Sequence, residues 1–437
     1  METKLELIAQ KAKEDRSLKF TALAHHLNEE FLMACYRELN PQSAPGIDQM
    51  TVQAYGENLQ ENIGNLVQRM KQNQYRPQPV RRTYIPKASG GERALGIPAI
   101  EDKIVQMGIT KLLTAIYEAE FLECSYGYRP GKSAHQALNA VDKIIMTQPI
   151  HYIIDADIRG FFDNVQHGWM EECLKQRIAD PNFLRLIVRF LKAGIMDGGE
   201  YQASEKGTPQ GGILSPVLSN IYLHYVLDLW FAKRMKKQLK GDAEEVRFAD
   251  DFILCVEYRA EAEQLLEHLR ERLKKFGLEL AEDKTRCLAF GRRAAAEASH
   301  HHAKPATFDF LGFTHFCDKT RKGQFKVGRR TNRKKLRIKL KEINQWLKAV
   351  RNQAPKKEWW PILRAKLTGH FRYFGVSGNM PNLKRFHQRV LQLTFKWLNR
   401  RSQKQSYTWD GFNQLLRYYA LPQPRIYHNL YTLSTPK

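Results

Sequence analysis

Two adjacent aspartates interrupt an apolar run at Val246-Arg247-Phe248-Ala249-Asp250-Asp251-Phe252-Ile253-Leu254-Cys255-Val256. Apolar, β-prone residues on either side of so short an acidic break predict a β-hairpin with the acids at its tip. An Asp-bearing turn is ordinary in itself. Paired carboxylates on a rigid turn also suit Mg²⁺, which takes hard oxygen ligands and is held by one or two carboxylates together with substrate phosphates. Such a site needs a third carboxylate and a phosphate-handling apparatus elsewhere in the chain.

Both are present in outline. Ile150-His151-Tyr152-Ile153-Ile154-Asp155-Ala156-Asp157-Ile158 reads as a buried strand ending in acids. Strand alternation puts Asp155 and Asp157 on one face, so periodicity does not choose between them. A carboxylate ending a buried strand is costly unless it serves chemistry or pairs with a cation. Between residues 81 and 98, two β-prone arms flank Ala88-Ser89-Gly90-Gly91, which predicts a hairpin or folded-back loop with Lys87 and Arg93 on opposite arms near the tip. Gly207-Thr208-Pro209-Gln210-Gly211-Gly212 is a loop whose glycines permit close backbone approach, followed by Ser215-Pro216 as the cap and first turn of a long helix. It is not a Walker loop, because no Gly-Lys-Ser/Thr follows. From Asp157 to Lys284 the order is strand, helix, hairpin, helix, strand, similar to the split βαβ arrangement of ferredoxin-like sheets. The fold class expected is therefore α+β.

At 437 residues, with 43% hydrophobic content, the chain has enough apolar material for two or three cores. The net charge of +24 is unevenly placed: residues 319–437 hold 29 Lys+Arg against three acids, whereas the preceding 318 residues hold 41 against 43. A cationic segment of that kind suits a polyanion partner, since it gains affinity by releasing counterions from nucleic-acid phosphates. Five of the seven tryptophans also fall there, which argues for a folded domain and against a solvated tail. The six cysteines form no C-x-x-C pair, so neither a disulfide framework nor a zinc knuckle is indicated. No secretion signal and no apolar run of the ~18 residues needed to span a bilayer is found, so a cytoplasmic protein with no membrane partner is expected.

Helices are expected over residues 1–75, with Leu18 to Met33 alternating apolar and polar faces at helical spacing and Asp48 or Thr51 as a later cap, over 100–122, and after an N-cap at Ser133. Residues 294–303, which contain His300-His301-His302, read as a polar loop without further metal ligands. Phe308-Asp309-Phe310-Leu311-Gly312-Phe313 predicts a short hairpin, and from about residue 325 a basic helical bundle follows, with helices over 336–350, 359–374, 383–398 and 409–419.

These motifs together resemble the reverse transcriptase/maturase proteins encoded by bacterial group II introns. Ala156-Asp157-Ile158-Arg159-Gly160-Phe161-Phe162-Asp163 is similar to the family's first palm motif, Gly207 to Pro216 to its nucleotide-adjacent motif, and Arg247-Phe248-Ala249-Asp250-Asp251 to its acidic hairpin, where the family usually has Tyr at the position of Phe248. The resemblance implies a right-hand polymerase: residues 1–75 as an N-terminal helical extension and start of the fingers, 76–318 as fingers and ferredoxin-like palm, and 319–437 as an all-α thumb/maturase (X) domain. It selects Asp157 with Asp250 and Asp251 as ligands of two Mg²⁺ ions, with Mn²⁺ an alternative, and Lys284 as proton donor or neutraliser for pyrophosphate. It further implies Lys87, Arg93 and Gln210 as nucleotide contacts, Phe162 as the gate against a 2′-hydroxyl, and Phe310, Leu311 and Gly312 as the primer grip. Arg129, Arg329, Arg330, Arg333, Lys334, Lys335 and Arg372 are expected to bind nucleic acid, and Leu367 to Gly375 resembles the heart of the maturase domain.

The partners implied are dNTPs, an RNA template, a DNA primer or target, and a structured intron RNA, in a cytoplasmic protein that joins the nucleoid when bound to DNA. A host-adopted reverse transcriptase serving defence or repair would use the same chemistry. An RNA-binding splicing factor without polymerase activity would not need the full aspartate set. The paired cysteines and His/Asn cluster of the family's nuclease are not found, so no endonuclease domain is expected.

Overall fold

The computed structural model describes residues 2–86, 91–400 and 406–431. They fall into two compact units, one made of Met1–Ala137, Ala156–Leu254 and Ala260–Arg286, the other of Leu138–Asp155, Cys255–Arg259 and Cys287–Lys437. In chain order the strands are β1 (Val80–Pro86), β2 (Glu92–Ile97), β3 (Tyr152–Asp157), β4 (Ile195–Asp197), β5 (Glu200–Gln202), β6 (Ala243–Phe248), β7 (Asp251–Val256), β8 (Arg286–Ala289), β9 (Phe308–Phe310), β10 (Phe313–Lys319) and β11 (Phe325–Thr331). The division near residue 286 lies upstream of the charge step at 318/319. Packing sets the one boundary, and surface composition sets the other.

In the first unit, helix Glu29–Arg37 starts later than periodicity suggests, at Asn28, whose side chain accepts from Phe31 N at 3.0 Å. Residues 18–23 do not form a helix. The Asp180 carboxylate accepts from Leu23 N at 2.6 Å and Ala24 N at 2.8 Å, and Phe20 bridges to Ile178, so the backbone is committed to non-helical partners. Thr51 is the next cap, accepting from Ala54 N at 3.1 Å, while Asp48 closes the preceding turn onto Met50 N. The apolar helix Ile100–Tyr117 is buried along most of its length.

β1 and β2 pair antiparallel from Arg81 opposite Ile97 to Pro86 opposite Glu92, as the two arms predict. The tip, with Lys87, lies outside the described residues. β4 and β5 extend this sheet in the order β2-β1-β4-β5; at three residues each they are too short to show a readable period.

A second sheet has the order β6-β7-β3-β8. With helices between β3 and β6 and helix Arg259–Lys275 between β7 and β8, this is the split βαβ order expected. The long helix after the glycine loop begins at Ser215–Leu223 and continues through two π-helical turns, His224–Asp228 and Phe231–Met235. Ser215 is not its cap. Its hydroxyl donates to Pro209 O at 2.7 Å, and the Gln106 side chain accepts from Ile213 N at 2.9 Å instead.

In the second unit, β9 and β10 form the expected hairpin, joined by Leu311 (φ 49°) and Gly312 (φ 85°), the two positive values that a type I′ turn needs. The sheet continues through β11, which pairs with β10 from Phe313 opposite Thr331 to Lys319 opposite Phe325. Residues 325–331 are therefore a strand, and the helical region starts only at Arg333–Gln353, where Asn332 accepts from Lys334 N at 2.9 Å. Residues 292–300 form a helix, Arg292–His300, in place of the expected loop; its three consecutive alanines carry the highest intrinsic helix propensity. Helices Arg333–Gln353, Lys356–Phe374, Met380–Leu398 and Trp409–Tyr418 surround a core containing Trp359, Trp360, Phe371, Phe386 and Trp397, as the aromatic pattern predicts.

Candidate active site

The acidic turn is two residues long. β6 ends at Phe248, Ala249 and Asp250 make the turn, and Asp251 opens β7. Ala249 holds φ at +58°, a conformation usually left to glycine, asparagine or aspartate. The turn is fixed from below. A Cβ on Gly127 would lie 2.3 Å from Ala249 N, so only glycine lets the 124–129 segment press against the hairpin. Tyr126 N donates to Arg247 O at 2.8 Å and Arg247 N donates to Cys124 O at 2.8 Å, joining that segment to β6.

Arg247 is fully buried in the strand that carries the turn. Its Nε and one terminal nitrogen donate to the two oxygens of Asp228 at 2.7 and 2.6 Å, and the other donates to Asn220 Oδ1 at 3.1 Å and Ala249 O at 3.0 Å. Asn220 in turn donates to Gly127 O at 2.7 Å. The guanidinium thus ties together the π-helical turn, the supporting loop and the acidic hairpin. Burial, then the Asp228 charge, pushes the neighbouring Glu245 carboxyl well above its ordinary range. Cys124, Asp228 and Glu245 have metal-like spacing, but Arg247 already takes both oxygens of Asp228. This network escapes sequence reasoning. Its one visible signal is an arginine within an otherwise apolar strand pattern.

β3 and β7 are neighbours, and His151 N donates to Val256 O. Burial pushes the Asp250 carboxyl up, and the Asp157 charge adds to the rise while Arg93 and Arg247 oppose it. Lys284 Nζ donates to Asp157 Oδ2 at 2.5 Å, which holds its ammonium above the usual lysine range. Asp157, Asp250, Lys284 and Arg93 therefore share one electrostatic neighbourhood. Asp157, Asp250 and Asp251 do not close as a set to within 4.8 Å. All three are carboxylates, hard oxygen donors of the kind a divalent cation such as Mg²⁺ takes.

Phe162 and Gln210 meet at a different place, in the wall of a cavity of about 590 Å³ that also includes Arg82, Asp163, Gly207 and Thr208 but not Asp157, Asp250 or Asp251. The glycine loop is clamped there by backbone contacts. Thr208 N donates to Phe162 O at 2.7 Å, Gly96 N donates to Gln210 O at 2.6 Å, and at Gly211 (φ 105°) a Cβ would meet Gly96 O at 3.0 Å. Phe162 is half-buried and packs edge-on against Phe161, with centroids 5.2 Å apart.

Two of the expected nucleic-acid contacts are corrected. Arg129 is buried, pairs with Glu118 at 2.7 Å and donates to Leu122 O and Ser125 O, so it holds the supporting loop and is not available to a phosphate. Arg329 is 1% exposed and pairs with Asp142 inside the second unit. Both sit in sequence among polar and basic residues, and composition alone does not separate a buried arginine from an exposed one. Arg330, Arg333, Lys334, Lys335 and Arg372 are exposed. Phe310, Leu311 and Gly312 are buried, and the carbonyls of the turn are taken within the unit: Tyr373 OH donates to Leu311 O and Asn332 N donates to Gly312 O, each at 2.9 Å.

Residues 85–315, just over half the chain and including Asp157, Asp250 and Asp251, match the family described as reverse transcriptase (RNA-dependent DNA polymerase). The chain is 30% identical over 470 aligned residues to the group II intron-encoded protein LtrA of Lactococcus lactis subsp. cremoris, covering 87% of this chain and 75% of that one. The chain belongs to the group II intron-encoded reverse transcriptase family. It is also 34% identical over 273 residues to Protein YkfC of Escherichia coli K12, covering 55% of this chain and 71% of the other. A 91 kDa protein in the cob intron of Schizosaccharomyces pombe is 37% identical over 202 residues, 45% of this chain and 24% of its own. The activity of this chain is RNA-directed DNA polymerisation, which depends on divalent metal and uses an RNA template and DNA substrates. Among the described residues no helix is long and apolar enough to cross a membrane.

Proposed function

We propose that Asp157 and Asp250, supported by Asp251, hold two Mg²⁺ ions and that the chain copies RNA into DNA on a group II intron RNA that it also binds to assist splicing and retromobility. The convergence of Asp157, Arg93 and Lys284 on Asp250 carries this reading, because it gathers acids and cations from four separate stretches of chain. When bound, the cations supply charge neutralisation at the phosphoryl oxygens and activation of the attacking 3′-oxygen. Lys284, whose proton is held firmly, screens Asp157 and is placed to neutralise the leaving pyrophosphate. Arg93, on β2, meets the triphosphate from the hairpin side, with Lys87 as its partner. Phe162 and Gln210 line the cavity that takes the nucleotide, and the Phe162 ring excludes a 2′-hydroxyl by contact.

Exposed Arg330, Arg333, Lys334, Lys335 and Arg372 contribute the polyanion-binding face. The hairpin that carries Phe310, Leu311 and Gly312 serves as primer grip. The direct test is Asp250→Asn assayed for extension of a DNA primer on an RNA template. Incorporation falls about 10³-fold or more, equivalent to ~4 kcal/mol in the barrier, while the circular dichroism spectrum and RNA binding are retained. Undiminished extension would remove Asp250 from the site. Phe162→Ala should reduce discrimination between dNTP and rNTP roughly tenfold or more, read as a ratio of kcat/KM values.

A further inference from the structure

The 124–129 segment that supports the catalytic turn has one residue pointing away from its own network. Gly127 is held by Asn220 and by the hairpin backbone, and Arg129 is held by Glu118, Leu122 O and Ser125 O. Tyr128, between them, is 58% exposed and adopts φ +56°, where a bulky side chain is a genuine outlier. An aromatic residue placed there gives up backbone comfort without gaining burial. Glycine or asparagine would make the same turn at less cost. Strain of this kind, maintained by a rigid surround, is characteristic of ligand-contacting positions.

Its neighbour indicates the ligand. The Tyr128 ring lies 6.4 Å from that of Phe248, tilted by 44°, and Phe248 is the residue immediately before the Ala249-Asp250 turn. Two aromatic faces thus stand side by side at the acidic turn, one of them open to solvent. A flat hydrocarbon ring beside a phosphoryl-transfer site fits the face of a base, since stacking on an aromatic side chain accepts any base and needs no hydrogen-bond code.

We propose that Tyr128 is a stacking platform for a nucleobase of the bound template–primer, fixing the nucleic acid against the catalytic hairpin. The inference rests on the polymerase reading above. The base could belong to the template strand or to the primer, and the chemistry of recognition is the same for both.

The test uses the full chain and an RNA template–DNA primer carrying 2-aminopurine, placed in one set of duplexes near the primer 3′-end and in another at the facing template positions. Wild type and Tyr128→Phe should change the fluorescence of the probe in one strand, which identifies the source of the base, and Tyr128→Ala should abolish that change. Tyr128→Ala should also raise the dissociation constant for template–primer about tenfold. Tyr128→Ala behaving as wild type in both strands and in affinity overturns the proposal, and so does Tyr128→Phe behaving as Tyr128→Ala. Extension by wild type is scored separately, so failure of the polymerase reading is distinguishable from failure of the stacking role. Because Tyr128 is exposed, none of these variants removes buried packing.

Discussion

Each unit encloses one arginine paired with one aspartate, and the two pairs are built differently. Arg247 uses both edges of its guanidinium: two bonds go to Asp228 and two more to Asn220 and Ala249 O. Arg329 is equally buried but meets Asp142 through one nitrogen, and its Nε and other terminal nitrogen find no hydrogen-bond acceptor among the described residues. What it has besides is the face of Tyr431, 5.7 Å from the guanidinium carbon. A buried charge is held in one geometry only when all its donors are spoken for. The saturated pair therefore positions something, and what it positions is the turn that carries Asp250. The unsaturated pair anchors the β11-β10-β9 sheet, away from the acidic turn of β6 and β7.

Breaking the saturated pair should give the largest effect. Asp228→Ala leaves a buried guanidinium uncompensated and should cost about 3–5 kcal/mol in urea unfolding monitored by circular dichroism. Replacing both partners by apolar residues, Asp228→Leu with Arg247→Met, should recover much of that stability. Polymerisation should stay depressed in the double variant, because Asn220 and Ala249 lose their common partner. Full recovery of activity along with stability would mean that the network only packs.

The Asp142 side of the comparison is read by pH. Burial pushes its carboxyl up to about 6, more than Arg329 pulls it down. The sign follows from proton counting: between about pH 4 and 6 the folded state holds a proton that the unfolded state has lost, so this residue's contribution falls as pH rises. A rise of roughly two on the pH scale sets a ceiling of about 3 kcal/mol. His370, stacked on Phe386 and lowered by burial to about 3, works in the opposite sense, its contribution falling as pH drops below its ordinary value. The difference between wild type and Asp142→Asn isolates the first slope. A difference that does not vary across pH 4–6 would show that Asp142 is ionised throughout, and the two buried pairs would then be electrostatically alike.

How much of the fold and site is legible in the sequence depends on the range over which the determining interaction acts. The acidic hairpin, the β1–β2 arms and the order of the β6-β7-β3-β8 sheet show in the sequence because local periodicity and turn chemistry specify them. Thr51 and Asn332 act as caps within three residues of their partners, a distance a reader can scan. Asp228 lies 19 residues from Arg247, and Asn220 lies 93 from Gly127, so neither pairing leaves a local trace. The extended 18–23 segment is illegible for the same reason, since Asp180, which holds it out of a helix, is 157 positions from Leu23. β11 hides because a run of arginines and lysines reads as solvated surface, although its partner β10 makes it a strand.

The smallest effect separates neighbours in that strand. Arg329 and Arg330 are adjacent and identical in sequence terms, but one is buried and the other exposed. If exposed cations carry RNA binding, changing Arg330, Arg333, Lys334 and Lys335 together to Gln should lower the slope of log affinity against log salt by roughly three, at about 0.7–0.9 for each phosphate no longer neutralised. Affinity near physiological salt should fall about tenfold or more, with single-turnover incorporation unchanged. Arg329→Gln, assayed where it remains folded, should leave that slope untouched, because a guanidinium enclosed beside Asp142 releases no counterion. A slope reduced equally by Arg329→Gln would place its charge at the RNA surface, and the distinction between the two buried arginines would then lie in what each one binds and not in how fully each is satisfied.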